Sequence, residues 1–345
     1  MSKKLQVGVI GASGYSGVEL LRLLSRHPHM EVSLATSRQF AGQLVEDAHP
    51  KLRGMLDGLA FCSSDPASLA SESGVAAFFL ALPHGVAAEF ARPLYDAGRV
   101  VIDLSADFRL GSPEAYREFY GTDHPDLKLL EAGAYVIPEI HGMDGLLDHR
   151  LFACPGCYPT SIQIPLTPLL QAGLVSSEDI VVNSMSGVSG AGKKLVENYL
   201  YCERAESAVV YGVPKHRHLS EIEEQLSAAA GCPVVIQFCP HLAPMKRGIV
   251  STISVRSEGS LDAVYDCWEA AYGHAPFVSI LPTGTFPDSQ HVTETNRIDI
   301  SAVLDERTGR FLLSSAEDNL VKGASGQAVQ IANLRFGFPE TDGLL

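Results

Sequence analysis

The chain has 345 residues, 46% of them hydrophobic and 19% charged, a profile that fits two compact cores and excludes a disordered or fibrous protein. Its formal net charge of -14 speaks against nucleic acid or an anionic membrane as main partner, because both repel an acidic surface. No apolar run is long enough to span a bilayer, Leu5–Ile10 is too short for a signal-peptide core, and seven scattered cysteines read as reduced cytoplasmic thiols.

Leu5–Ile10 reads as the first strand, residues 18–25 as the first helix and 31–36 as the second strand. Further strands are expected at 76–80, Val100–Asp103, 135–137 and 151–154. Short apolar strands alternating with helices are the pattern of a parallel sheet. Pro159 is expected to open a helix, which Pro165 and Pro168 would kink or shorten. The second half holds strand-like runs at 180–184, 234–239, 248–256 and 298–304, with fewer helices between them. The last stretch, 319–336, reads as a helix rich in small residues. The expectation is an α/β protein. A Rossmann dinucleotide-binding domain covers 1–156, an α+β catalytic domain covers 157–315, and a C-terminal helical segment covers 316–345.

Gly11-Ala-Ser-Gly14-Tyr-Ser-Gly17 follows the first strand and opens the first helix. Glycines there permit a tight turn and let backbone N–H groups approach a pyrophosphate at the helix N-terminus. The second strand ends in Thr36-Ser37-Arg38, with no carboxylate at its tip. A cation at that position suits the 2′-phosphate of NADP, whereas an acidic residue would suit NAD.

Cys154-Pro-Gly-Cys157-Tyr-Pro-Thr160 is the most informative stretch. Cys157 falls after a strand and before a helix N-terminus, where partial positive charge favours a thiolate. Three readings compete at this point: a nucleophile at Cys157, a C-x-x-C redox pair, and half of a zinc site completed by His216 and His218.

A candidate base lies in Lys215-His216-Arg217-His218, directly before a helix. Ser220 and Glu223 form an S-x-x-E capping box that would start that helix at Ser220. A helix N-terminus disfavours imidazolium and keeps a histidine available as a base near neutral pH. Lys215 and Arg217 are candidate anchors for an anion. The sequence Gly187-Val-Ser-Gly-Ala-Gly192-Lys193-Lys194 nearly matches a P-loop, but Lys194 stands where the Mg²⁺-binding hydroxyl belongs. That loop is better read as shaping a site than as a phosphoryl-transfer motif.

Together these elements resemble the N-acetyl-gamma-glutamyl-phosphate reductases of arginine biosynthesis, along essentially the whole chain. The resemblance is carried by the Gly11 loop with Val18-Glu-Leu-Leu-Arg22, Ala81-Leu-Pro-His-Gly85, Asp103-Leu-Ser-Ala-Asp-Phe-Arg109 and Pro155-Gly-Cys-Tyr-Pro-Thr160. Further along come Ser186-Gly-Val-Ser-Gly-Ala-Gly192, Lys215-His-Arg-His218, Pro240-His-Leu242, Arg247-Gly-Ile249 and Asp318-Asn-Leu-Val-Lys-Gly-Ala324.

The resemblance implies a catalytic domain like that of glyceraldehyde-3-phosphate dehydrogenase, a C-terminal helix packed back on the nucleotide domain, NADPH as cofactor, and a homodimer or homotetramer. It also implies a small-molecule acyl phosphate as substrate, and a thioester on Cys157. His218, with His216 close behind, would serve acid–base chemistry. Gly11, Ser13, Gly14, Tyr15, Ser16, Ser37, Arg38, Pro83, Asn319 and Lys322 would hold the cofactor. Arg109, Lys193, Lys215 and Arg217 would hold phosphate or carboxylate, and no metal is called for. One residue departs from the family pattern: Cys154 replaces the Asn that usually precedes Pro-Gly-Cys. Enzymes acting on aspartyl phosphate or a carrier-bound aminoadipyl phosphate are the nearest rivals, and an NADPH-binding redox sensor is the rival of another class.

Overall fold

The computed structural model describes residues 4–193 and 195–345. Lys194, the position that breaks the P-loop pattern, lies outside the described residues, as do the first three. The chain divides into two units, Met1–Pro155 with Ala324–Leu345, and Gly156–Gly323.

In the first unit the strands are β1 (Leu5–Ile10), β2 (Met30–Thr36), β3 (Phe61–Cys62), β4 (Ala77–Leu80), β5 (Val100–Asp103), β6 (Gly133–Tyr135) and β7 (Leu151–Ala153). They form one sheet in the order β3-β2-β1-β4-β5-β7-β6, and every pairing is parallel. β4 and β5 are buried at every residue, as expected for strands covered on both faces. Helix α1 (Tyr15–Ser25) follows β1, and α2 (Ala87–Asp96) follows β4. The chain leaves β1 on opposite sides toward β2 and β4, so the switch point of the sheet lies at the C-terminal ends of β1 and β4. The C-terminal helix Gly326–Arg335 packs against α1, β5 and the short helix Pro138–His141.

The second unit opens with α3 (Cys157–Gln171), followed by β8 (Ile180–Gly187), β9 (Val209–Val210), α4 (His218–Ala230), β10 (Ile236–Ala243) and β11 (Ile249–Arg256). It continues with α5 (Leu261–Tyr272), β12 (Val278–Ile280), β13 (Ile298–Asp305) and β14 (Arg310–Glu317). Its sheet runs β12-β13-β14-β11-β8-β10-β9 and mixes parallel with antiparallel pairs. Burial alternates along β11, the mark of a sheet with one covered face. Helix α3 lies on that face over β11 and β14, with α4 and α5 packed beside it.

Several expectations change here. Strand β14 was not foreseen; it pairs along its whole length with β11 and β13, so residues through Gly323 stay with the second unit. The segment 319–336 is not one regular helix: a π-helical turn at Val321–Ser325 precedes Gly326–Arg335. Helix α3 starts at Cys157, not at Pro159. Pro159 is then its third residue, where no intrahelical N–H bond is lost.

Nor do Pro165 and Pro168 shorten α3, which runs on to Gln171. Each proline deprives the carbonyl four residues earlier of its N–H partner. Those two carbonyls are Ser161 O and Ile164 O. Ser315 Oγ donates to the first at 2.6 Å, and Tyr272 OH donates to the second at 2.7 Å. Side chains from β14 and α5 therefore replace what the prolines remove.

Candidate active site

Cys157 is the first residue of α3, and Gly156, the N-cap, supplies no side chain. The half-buried thiol thus sits at the positive end of a helix, which favours its anion. Gly156 N–H donates to Glu221 Oε1 at 2.8 Å. Glu221 is almost fully buried and lies three residues after His218, on the same side of α4. One carboxylate therefore ties the start of the cysteine helix to the helix that begins at His218. Sequence reading passed over Glu221, although its i+3 spacing from His218 was a usable signal.

The expected capping box does not form. α4 starts at His218 rather than Ser220; Ser220 Oγ donates to Arg217 O, and Glu223 Oε1 accepts from Ile236 N–H. Ser220 is thus engaged with a local carbonyl and Glu223 with the start of β10.

His216 stands in an aromatic box. Its ring centroid lies 5.6 Å from Tyr158, 5.4 Å from Tyr211, 5.6 Å from Phe238 and 4.9 Å from His218, all edge-on. Burial first, and the Arg217 charge second, push its pKa down to about 4. His218 N–H donates to His216 Nδ1 at 3.1 Å, so the neutral ring carries its proton on Nε2. Tyr211 OH donates to Tyr158 OH at 2.9 Å; burial raises the pKa of both phenols, so both stay protonated. Tyr211 had no sequence signal, because its position depends on the pairing of β9 with β10.

The turn after β14 also reaches Cys157. A Cβ built on Gly323 would lie 2.7 Å from Cys157 Cβ and 2.8 Å from Glu317 Oε1, so the turn presses directly on the thiol-bearing residue. Asp318 organises that turn: its carboxylate binds Arg247 Nε at 2.9 Å and accepts from the N–H groups of Leu320 and Glu294. Asn319 Oδ1 accepts from Gly248 N–H at 2.8 Å, and its Nδ2 donates to Ser189 Oγ at 3.0 Å. Lys322 is fully buried, with Nζ 5.7 Å from the Phe277 ring centroid.

The four candidate anion-binding cations fall into two groups. Lys193, Lys215 and Arg217 are exposed in the second unit. Arg109 belongs to the first unit, where it is buried and donates to Cys154 O at 2.8 Å and Leu104 O at 2.9 Å. Beside it Asp103 is fully buried, and its pKa is pushed up to about 7, by burial first and the Asp107 charge second. Among the described residues, no three His, Cys, Asp or Glu groups gather as metal ligands.

The residues of the first unit fit a dinucleotide. Gly11 has φ +81, and a Cβ there would lie 2.4 Å from Ala81 O; one on Gly17 would lie 2.4 Å from Gly11 O. Only glycine permits so tight a turn between β1 and α1. Gly14 caps α1 without a side chain, which leaves the helix start to a ligand phosphate. Ser37 Oγ donates to Ser13 Oγ at 2.9 Å, joining the β2 tip to this loop, and Arg38 is exposed beside it. Tyr15 is exposed, and Ser16 O accepts from Ser325 Oγ at 2.9 Å. Pro83 is exposed in the turn after β4.

Comparison with known proteins places these residues in a family. Residues 6–145 match the model "Semialdehyde dehydrogenase, NAD binding domain", and residues 157–319 match "Semialdehyde dehydrogenase, dimerisation domain". A solved aspartate semialdehyde dehydrogenase II from Vibrio cholerae shares the fold, with TM-score 0.72 at 18% identity over 97% of this chain and 99% of that one. The NADP complex of the aspartate semialdehyde dehydrogenase from Candida albicans gives 0.71 at 17% identity, over 96% of this chain and 98% of that one. Sequence similarity is much higher elsewhere. The N-acetyl-gamma-glutamyl-phosphate reductase of Akkermansia muciniphila is 51% identical over 345 residues, covering 99% of each chain. That of Rhodospirillum rubrum is 43% identical over 350 residues, covering 100% of this chain and 98% of that one. Relatedness of this order over the full length, with a glycine loop shaped for a dinucleotide and a cysteine set at a helix start, leads to one conclusion: the chain belongs to the N-acetyl-gamma-glutamyl-phosphate reductase family.

Proposed function

We propose that the protein reduces N-acetyl-L-glutamyl 5-phosphate to N-acetyl-L-glutamate 5-semialdehyde and phosphate, in arginine biosynthesis, through a thioester on Cys157. The observation that carries this reading is the placement of Cys157 at the start of α3, with Glu221 linking that start to the His218 helix.

Cys157 Sγ attacks the acyl carbon; the C–S bond forms, the bond from carbon to the phosphate oxygen breaks, and phosphate leaves. His218, first residue of α4, takes the thiol proton. Sulfur overlaps poorly with the carbonyl, so the thioester carbon remains electrophilic. NADPH, when bound, supplies the hydride that reduces it. His218 returns its proton to the oxygen as the tetrahedral adduct forms and takes it back as the C–S bond breaks, which frees the thiolate.

His216 has a different role. Its lowered pKa keeps it neutral at pH 7, and its Nδ1 is occupied by the His218 N–H. It therefore offers Nε2–H as a fixed donor to the acyl oxygen, in the manner of an oxyanion-site group. Arg109, Lys193, Lys215 and Arg217 are the cations proposed for phosphate or carboxylate. Gly11, Ser13, Gly14, Tyr15, Ser16, Ser37, Arg38, Pro83, Asn319 and Lys322 are assigned to the dinucleotide, with Arg38 taking the 2′-phosphate.

The seven cysteines are reduced thiols and no described helix is long and apolar enough to cross a membrane; both fit a cytoplasmic enzyme. A homodimer or homotetramer built through the second unit would cover the exposed Leu195, Leu200, Tyr201 and Val213, and large exposed apolar side chains support that reading.

Mixing the protein with the acyl phosphate in the absence of NADPH, followed by mass spectrometry, should trap an N-acetylglutamyl adduct on Cys157. An unmodified Cys157 under those conditions refutes the thioester. Phosphate-dependent NADP⁺ reduction assayed with each candidate semialdehyde identifies the substrate, and a greater rate with aspartate semialdehyde would reject the acetylglutamyl assignment.

A further inference from the structure

Asp107 has no part in the mechanism above, yet it is fully buried and joined to the edge of the nucleotide site. Two loops meet where β1 and β4 end. The loop after β4 starts pressed against the Gly11 turn: Ala81 N–H donates to Ile10 O at 2.8 Å, and a Cβ on Gly11 would lie 3.1 Å from Leu82 Cδ2. The same loop ends in α2, whose N-cap, Val86, has no side chain able to cap it.

Asp107 does that work from nineteen residues beyond Ala88. Its Oδ1 accepts from Gly85 N–H at 2.6 Å, and its Oδ2 accepts from Ala88 N–H at 3.2 Å. Asp107 is itself held in place. Its N–H donates to Ser105 Oγ at 3.1 Å, Ser105 Oγ donates to the Asp103 carboxylate at 2.7 Å, and Asp107 O pairs with His124 Nε2 at 2.8 Å. The loop is thus anchored at both ends, against the glycine turn and on a buried carboxyl group. Between the anchors stand Pro83 and His84, both exposed.

We propose that Asp107 is a positioning residue for the cofactor: its carboxylate holds the turn at 83–85 in the shape that receives the dinucleotide, without touching it. The proposal rests on the reading of the Gly11 loop as the NADPH site. A charged acceptor shared by two backbone donors is a strong, directional restraint. A binding loop that is only fractionally in its competent shape weakens apparent affinity by that fraction. The carboxylate so removes an ordering cost that binding would otherwise bear.

The test is Asp107→Asn, which keeps the shape and one acceptor but turns an NH₂ group toward one of the two N–H donors. NADPH affinity, read by fluorescence titration, should weaken about ten-fold or more, as the loss of one charge-assisted bond predicts. In steady state KM for NADPH should rise by more than kcat falls, and hydrogen exchange should quicken across 83–90. A folded variant with unchanged NADPH affinity overturns the proposal, as does a variant whose kcat and affinity decline only in step with its folded fraction. Should the variant fail to fold, the unaltered protein decides: the Gly85 and Ala88 amides must be protected from exchange, and free exchange at both overturns the clamp. Failure of the unaltered protein to bind NADPH would instead sink the underlying reading of the glycine loop.

Discussion

Replacing Gly323 by Ala tests how the nucleophile is held. The added Cβ would sit 2.7 Å from Cys157 Cβ, 3.1 Å from Cys157 Cα and 2.8 Å from Glu317 Oε1. Ordinary contact begins at 3.4 Å, so a partner must retreat by about 0.7 Å within an interior packed too densely to absorb it silently. The Asp318 carboxylate, bonded to Arg247 and to the Leu320 and Glu294 N–H groups, resists movement of the turn. Cys157 and the first turn of α3 are left to yield. Overpacking of this kind costs about 1–3 kcal/mol of stability. A displacement approaching 1 Å of a reacting group lowers turnover by up to about 10²-fold. The assay pairs NADPH oxidation with the rate of Cys157 alkylation by iodoacetamide, both on protein shown to be folded by its melting curve. Gly323→Ala should lose most of its activity, change its alkylation rate, and melt a few degrees lower. Wild-type turnover and alkylation in that variant would refute the claim that this turn sets the position of the thiol.

Three further outcomes follow from the same geometry. The pKa of His216 is depressed to about 4 by burial, against an unfolded value near 6.5, so the unfolded state binds the extra proton first. Stability is therefore full above pH 6.5 and falls as pH drops toward 4, by about 3 kcal/mol at most. Urea unfolding midpoints between pH 7 and 4.5 should fall more steeply for the wild type than for His216→Gln, and equal slopes would contradict the assignment. Tyr272→Phe leaves Ile164 O without the donor that compensates Pro168. It should cost about 1–3 kcal/mol, measured by thermal melting; an unchanged midpoint would mean that the proline-freed carbonyl needs no partner. Arg38→Ala should raise KM for NADPH by about ten-fold or more through loss of a charge-assisted phosphate contact, while KM for NADH stays level. Equal effects on the two nucleotides would remove Arg38 from the 2′-phosphate site.

Some of this protein is written locally along the chain. β1, β4 and β5 are short apolar runs buried on both faces, and the Gly11 loop lies between strand and helix, so residue type alone placed them. The identity of Cys157 as the residue of interest was equally local, since it rests on a strand end, a following helix and its neighbours in sequence. The second unit was harder to read. β14 begins in Arg310 and ends in Glu317, and its strand character comes from pairing with β11 and β13 on either side.

The clearest failures of local reasoning involve polar groups whose partners are remote in sequence. Pro165 and Pro168 looked like helix breakers because Ser315 and Tyr272, which satisfy the freed carbonyls, lie more than a hundred residues away. Ser220 and Glu223 looked like a capping box, but Glu223 Oε1 takes the N–H of Ile236, thirteen residues on, and Ser220 lies inside a helix that starts two residues earlier. His216 and His218 could not be told apart by spacing. Only the aromatic box and the bond from His218 N–H to Nδ1 make one of them a neutral donor. Sequence by itself determined which groups are candidates for the chemistry, since that depends on residue type and local conformation. Tertiary structure decided which of them are desolvated, which are held, and by what, because hydrogen-bond partners and dielectric are properties of the folded surroundings.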